Sequence, residues 1–271
     1  MAKKNPFIAL LTDFGAADAY VGIMKGVIYS INPQARIIDV SHESAPQQID
    51  QAAFLLWSAY KYFPAGTIFV CIVDPGVGSL RKIFCVQTSN YTFLVPDNGM
   101  LKFVLGETQV KGVYDVSKPK IFSHPVSATF HGRDIFAPLA ARLSMGEKPS
   151  VFGRPAKASL NVELLVSVHP KRVMKYEGKV IHIDRFGNIV TNLLLPESRL
   201  PKFRCLLEKK TIEQQVLYYA ENDSGDLIIV RGSSGLLEIS IRNGSAATAT
   251  RAKLGQRVTL ELLSNEKDDH A

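Results

Sequence analysis

The stretch FIALLTDFGAADAYVGIMKGVIYSINPQARIIDV, residues 7–40, decides the fold. FIALLT (7–12) is a short continuous apolar run, the pattern of a buried strand. ADAYVGIMKGVIYSIN (17–32) carries its apolar residues at helical spacing, and ARIIDV (35–40) reads as a second strand. The same alternation continues outward. QIDQAAFLLWSAYKYF (48–63) predicts a largely buried helix holding the only tryptophan, Trp57. TIFVCIVD (67–74) and YTFLVP (91–96) read as strands, and GRDIFAPLAARLSM (132–145) as a helix. Alternating strands and helices predict an α/β N-terminal domain, residues 1–170, with a largely parallel sheet flanked by helices.

The character changes near residue 170. VHPKRVMKYEG (168–178) is polar and proline-marked, as a linker would be. Beyond it come short strand-like pieces: KVIHIDRFGNIVTNLLL (179–195), RCLLE (204–208), DLIIVRG (226–232), LLEISI (236–241) and RVTLELL (257–263). Gly, Asn and Asp punctuate them. They predict a smaller C-terminal antiparallel β-barrel domain over residues 171–271. The polar tail SNEKDDHA (264–271) is expected to fray.

Composition bounds the function. The chain has 271 residues, 46% hydrophobic and 21% charged, enough for one large domain or two smaller ones. No apolar run approaches a membrane span, so no membrane partner is expected. The start, MAKKNPFIALLTDFG, lacks a signal-peptide pattern, which predicts a mature start and a cytoplasmic protein. The three cysteines, Cys71, Cys85 and Cys205, lack metal spacing and read as buried free thiols. Net charge is +7 and pI about 9.2, but the basic residues are scattered. A solvated surface, not a nucleic-acid partner, is expected.

Acidic and glycine residues gather in loops after predicted strands: TDFG (12–15), VDPGVG (73–78), PDNG (96–99) and TFHGRD (129–134). Ligands in open α/β sheets sit outside the carboxyl ends of strands, so these loops suggest one shared site. Taken singly, each has a bland reading. PDNG makes a tight turn, Asp74 and Arg81 a structural ion pair, and His131 a satisfied buried histidine. Asp184 and Asn188 in DRFGN would be turn residues. DFG lies too early in the chain for a protein kinase, and GVGSLR lacks the third glycine of a dinucleotide loop. Asp13, Asp97 and His131 lack metal-ligand spacing, so no metal is expected. His42, His124, His169, His182 and His270 read as structural.

Five motifs occur in order: TDFG…DAYVGIMKG, VDPGVGS…R, PDNGML, TFHGRDIFAP and IDRFGNIVTN. Together they resemble the S-adenosylmethionine hydroxide adenosyltransferase family, hydrolytic relatives of the fluorinase and chlorinase enzymes. The resemblance runs over nearly the whole chain. It implies an N-terminal α/β domain, a C-terminal β-barrel and a homotrimer whose active site lies between neighbouring subunits. It implies a catalytic set of Asp74, Arg81 and His131, with Asp13 gripping the ribose hydroxyls. It also implies that Thr129 and Gly132 lie near the ribose, that Asp184 and Ser233 contact the methionine portion, and that Asn188 contacts adenine. The fluorinase branch has a Tyr/Thr-type pocket where this chain has Asp74 and His131. It also carries an inserted loop where this chain has only TSN (88–90) between two strands.

The implied reaction suits these residue types. S-adenosylmethionine carries a sulfonium, so C5′ already bears a good leaving group that departs as neutral thioether. No general acid and no cofactor is needed; the task is to deliver water in line behind C5′ as a hydroxide-like nucleophile. Arg81 stays charged and can stabilise developing hydroxide, while His131 can take or relay the proton. Asp74 can orient either and balance the charge. Loss of Arg81 or His131 is expected to cost about 10²–10⁴ in rate. The substrate is cationic, so the pocket must be locally acidic, and Asp13, Asp74 and Asp184 supply that. Adenosine and L-methionine are the expected products. The alternatives are a chloride-dependent adenosyltransferase and a non-catalytic S-adenosylmethionine or adenosine sensor.

Overall fold

The computed structural model describes residues 6–118, 125–157, 162–170 and 174–263. His124, His270 and the tail 264–271 lie outside the described residues. The chain divides into two compact units, residues 1–164 and 165–271.

The N-terminal unit is built on seven strands: β1 (Phe7–Thr12), β2 (Arg36–Ser41), β3 (Ile68–Ile72), β4 (Ile83–Thr88), β5 (Thr92–Pro96), β6 (Val110–Asp115) and β7 (Arg154–Pro155). Their order is β2-β1-β3-β5-β4-β6-β7. β2, β1, β3 and β5 run parallel to one another. The expectation of a largely parallel sheet needs correcting here. β4 is antiparallel to β5 and β6, and β6 is antiparallel to β7, so the sheet is mixed. The reason is chain length: residues 89–91 are all that connects β4 to β5, and a parallel crossover needs a dozen or more.

Helices α1 (Tyr20–Ile31), α2 (Ile49–Ala59), α3 (Lys102–Leu105) and α4 (Ala137–Ser144) cover the sheet. Met24 and Ile28 of α1 and Leu139, Ala140 and Leu143 of α4 join Ile8, Leu10, Val70, Ile72 and Leu94 in one core. The alternate strand residues Ala9, Leu11, Phe69, Cys71 and Phe93 are buried too. Strands buried on both faces must be continuously apolar, which is why FIALLT and TIFVCI do not alternate. Burying a side chain such as Phe69 or Leu10 contributes about 1.5–3 kcal/mol each. Cys71, Cys85 and Cys205 are buried and unpaired; burial pushes the Cys85 and Cys205 thiols up to about 12, so neither is a thiolate near neutrality. Among the described residues no helix is long and apolar enough to cross a membrane.

The C-terminal unit is a nine-stranded sheet of β8 (Val166–Ser167), β9 (Lys175–Ile183), β10 (Ile189–Leu194), β11 (Phe203–Leu207), β12 (Lys210–Ile212), β13 (Gln215–Val216), β14 (Ile228–Arg231), β15 (Leu236–Ser240) and β16 (Arg257–Leu262). The order is β12-β11-β16-β9-β10-β15-β14-β13, with β8 beside β10. Its pairs are antiparallel except β13 with β14 and β8 with β10. Ile189, Leu193, Leu237, Ile239, Val258 and Leu260 form its core.

Candidate active site

β1 and β3 are parallel neighbours paired through Thr12 and Ile72. Asp13 follows Thr12 directly and Asp74 lies two residues beyond Ile72, so both leave the sheet at its carboxyl edge. After β3 the chain turns sharply: Val77 N–H donates to the Asp74 carbonyl at 3.2 Å and Ser79 N–H to the Gly76 carbonyl at 3.1 Å. The Asn98 amide, in the PDNG turn, donates to the Val73 carbonyl at 2.7 Å and steadies the strand end. Gly78 sits at φ +79°, and a Cβ there would collide with the Ala128 carbonyl. Glycine is required on both counts. Its absent side chain lets the 125–131 segment close on the turn, and that segment ends in His131.

Arg81 returns from the turn to face Asp74. Its Nε donates to Oδ1 at 2.8 Å and to Oδ2 at 2.7 Å, and Nη2 donates to Oδ2 as well. Nη2 also lies 2.8 Å from His131 Nδ1. The Asp74 and Arg81 side chains are 5% and 11% exposed, so the pair is screened little by solvent. A guanidinium has donors only, so Nδ1 of His131 must be the acceptor. In the neutral ring the proton then resides on Nε2, which makes the imidazole a donor on its other side. His131 is held below the ordinary imidazole range, first by burial and then by the Arg81 charge, against the opposing pull of Asp74 and Asp134. The centre combines a fixed positive charge, an N–H donor and a balancing carboxylate, and it suits an anionic or developing anionic oxygen.

The neighbouring residues fill in the N-terminal half. Asp13 is half-buried, and its Oδ2 accepts the Gln47 N–H at 2.8 Å. Phe14, Tyr20 and Phe130 form an aromatic cluster with centroids 5.1–6.2 Å apart, Phe130 meeting the other two rings edge-on. Gly132 is buried where a Cβ would press on Met24, Phe130 and Phe14. It opens a wide helical turn, Gly132–Phe136, that leads into α4. Thr129 is exposed, its N–H donating to Ser127 Oγ at 3.3 Å. Among the described residues, no group of three His, Cys, Asp or Glu side chains is arranged to hold a metal.

Asp184, Asn188 and Ser233 belong to the C-terminal unit. Asp184 and Asn188 close the β9–β10 turn together: Asp184 Oδ1 accepts the backbone N–H of Phe186 and Asn188 at 2.9 and 2.8 Å, and Oδ2 accepts the Asn188 amide at 2.8 Å. This binds the two predicted residues into one rigid turn. Ser233 is exposed in the separate β14–β15 turn. Two features escaped the sequence reading. Phe186, at the tip of the Asp184–Asn188 turn, is 78% exposed and offers a flat apolar face. Glu238 is only 9% exposed and takes a hydrogen bond from the Tyr219 hydroxyl at 2.8 Å. Burial raises its pKa and the Asp184 charge adds to that, against the Tyr219 hydrogen bond. A charge inside the apolar run LLEIS was the available signal for it.

The fold and site define a two-unit protein, α/β followed by β, with a carboxylate–guanidinium–imidazole centre at its strand ends. Comparison with known proteins makes the class specific. Residues 8–153 match the SAM hydroxide adenosyltransferase N-terminal domain and residues 178–259 the SAM hydroxide adenosyltransferase C-terminal domain. The chain belongs to the SAM hydroxide adenosyltransferase family. It is 32% identical over 262 residues to the (R)-S-adenosyl-L-methionine hydrolase of Thermus thermophilus, covering 93% of this chain and 98% of that one. A fluorinase of an Actinoplanes species is more distant, 27% identical over 218 residues, with 71% and 73% covered. A crystal structure of an uncharacterized conserved protein from Thermotoga maritima superposes with a TM-score of 0.82 at 33% identity, covering 94% of this chain and 99% of that one.

Proposed function

We propose that this protein hydrolyses S-adenosyl-L-methionine to adenosine and L-methionine. Water oxygen bonds to C5′, the C5′–S bond breaks with its electron pair going to sulfur, and one proton is released. The observation that carries the reading is Arg81, bonded at once to Asp74 and to His131 Nδ1. That arrangement makes His131 a donor rather than a base at Nε2. Arg81 charge and the His131 N–H together stabilise hydroxide behind C5′, so the water loses its proton to solvent on the way in. Neutral thioether needs no acid to leave.

Asp13 holds the ribose hydroxyls, with Thr129 and Gly132 beside the sugar. Asp184 and Ser233 receive the methionine portion and Asn188 the adenine, with Phe186 as a stacking face. The relatives' names specify the (R) form of the sulfonium, and we extend that form to this chain. The enzyme acts in the cytoplasm as a homotrimer, without metal, cofactor or nucleic acid. Its C-terminal sheet curls as a barrel to present these contacts to a neighbour's N-terminal unit. The test is incubation of pure protein with resolved (R) and (S) substrate in H₂¹⁸O. Adenosine labelled at the 5′ oxygen, formed from the (R) form, is expected. Intact substrate would refute the reading, and 5′-chloro-5′-deoxyadenosine at high chloride would replace it with halide transfer.

A further inference from the structure

The segment after β2 grips the loop that carries Asp13 at three points. The β1–β2 register slips between Leu10 and Leu11, so Leu11 pairs with Ser41 instead of Val40. Bulges of this kind re-aim the residues beyond them. Here His42 arrives beside Thr12, and Thr12 Oγ1 lies 2.8 Å from His42 Nδ1. The His42 carbonyl accepts the Gly15 N–H at 2.8 Å. Five residues on, Gln47 adopts φ +64°, a left-handed conformation unusual for a residue with a side chain, and aims its N–H at Asp13 Oδ2.

His42 is itself anchored. Its Nε2 lies 3.0 Å from Asp39 Oδ1, off the line of a good hydrogen bond. Lys25 of α1 holds the other Asp39 oxygen at 2.6 Å. The order hydroxyl–imidazole–carboxylate has the look of a nucleophile relay. Thr12 is fully buried, however, and its oxygen also accepts the Phe14 N–H at 3.2 Å, so no substrate carbon reaches it. What the chain Lys25–Asp39–His42–Thr12 can do is hold a loop.

We infer that His42 is a positioning residue for Asp13: it pins residues 12–15 so that the Asp13 carboxylate is set for the ribose hydroxyls before substrate arrives. The inference rests on the ribose contact proposed above. A preset carboxylate spends no binding energy on ordering itself.

The experiment is calorimetric binding of adenosine and of 2′,3′-dideoxyadenosine to wild type, His42→Ala, His42→Gln, Thr12→Val and Asp13→Ala. His42→Ala should weaken adenosine about five- to tenfold, the size of one lost hydrogen bond, and leave the dideoxy compound within about twofold. Gln, which can accept the Thr12 proton, should restore most of the difference. Thr12→Val, nearly isosteric, should reproduce the selective loss, and it becomes the deciding variant if His42→Ala does not fold. Equal weakening of both nucleosides, or unchanged adenosine binding, overturns the inference. If Asp13→Ala keeps the wild-type preference for adenosine, the ribose role of Asp13 fails instead, whatever the His42 variants do.

Discussion

Arg81 serves as the hub of the site because a planar guanidinium can satisfy a carboxylate along one edge while another N–H meets an imidazole. Lysine is a point charge and cannot keep both contacts. Arg81→Lys is therefore expected to lower kcat about 10²–10³-fold with KM changed little, read by adenosine formation at saturating substrate. The same bond sets a pH dependence. His131 must stay neutral to accept from Arg81, and burial with the Arg81 charge holds its pKa below the ordinary value of about 6.5. Below pH 6.5 the unfolded chain takes up a proton that the folded ring resists. The contribution to stability is thus fully present above 6.5 and is lost as pH falls below it. Thermal unfolding followed from pH 8 to 5 should show this acid limb, and His131→Asn should flatten it.

At the scale of elements, the site is assembled by close approach of two loops, the turn after β3 and the segment before α4. Gly78 is the point of contact, held at φ +79° against the Ala128 carbonyl. Gly78→Ala meets both a left-handed backbone and a collision, and the loops are free to separate because the residue lies at the surface. The expected outcome is a stability cost of about 1–3 kcal/mol and a kcat loss greater than about tenfold, as His131 moves away from Arg81. Denaturant unfolding and steady-state kinetics on the same preparation separate the two effects. Asn98 has a comparable role at the strand end, so PDNG is a turn whose side chain also braces Val73.

For the whole molecule, the proposed function draws its contacts from both units, and the question it raises is how they are brought together. The proposed trimer draws the N-terminal half from one subunit and the C-terminal half from its neighbour. Co-expression of Arg81→Lys with Asp184→Asn tests it. Random mixing in a cyclic trimer leaves about one quarter of the sites with both halves intact, so activity should recover to about a quarter of wild type. A site built within one chain predicts no recovery beyond the two variants alone.

Much of this was legible in the sequence, and for definable reasons. Apolar content and spacing are local properties: FIALLT and TIFVCI are continuous because both faces are covered, and the IDRFGNIVTN turn closes through side chains four residues apart. The mixed character of the N-terminal sheet was hidden in a detail, the short 89–91 connection, that outweighs the general strand–helix alternation. The rest depends on partners far apart along the chain. Arg81 meets His131 fifty positions away, and that contact alone decides which ring nitrogen carries the proton. His42 reaches Thr12 only because the strand register slips by one. By itself the sequence determined the strands, the loops at their ends and the residue types of the site. The tertiary structure decided which of those residues are wired together, because a hydrogen bond between distant segments exists only once packing has brought its two atoms within about 3 Å.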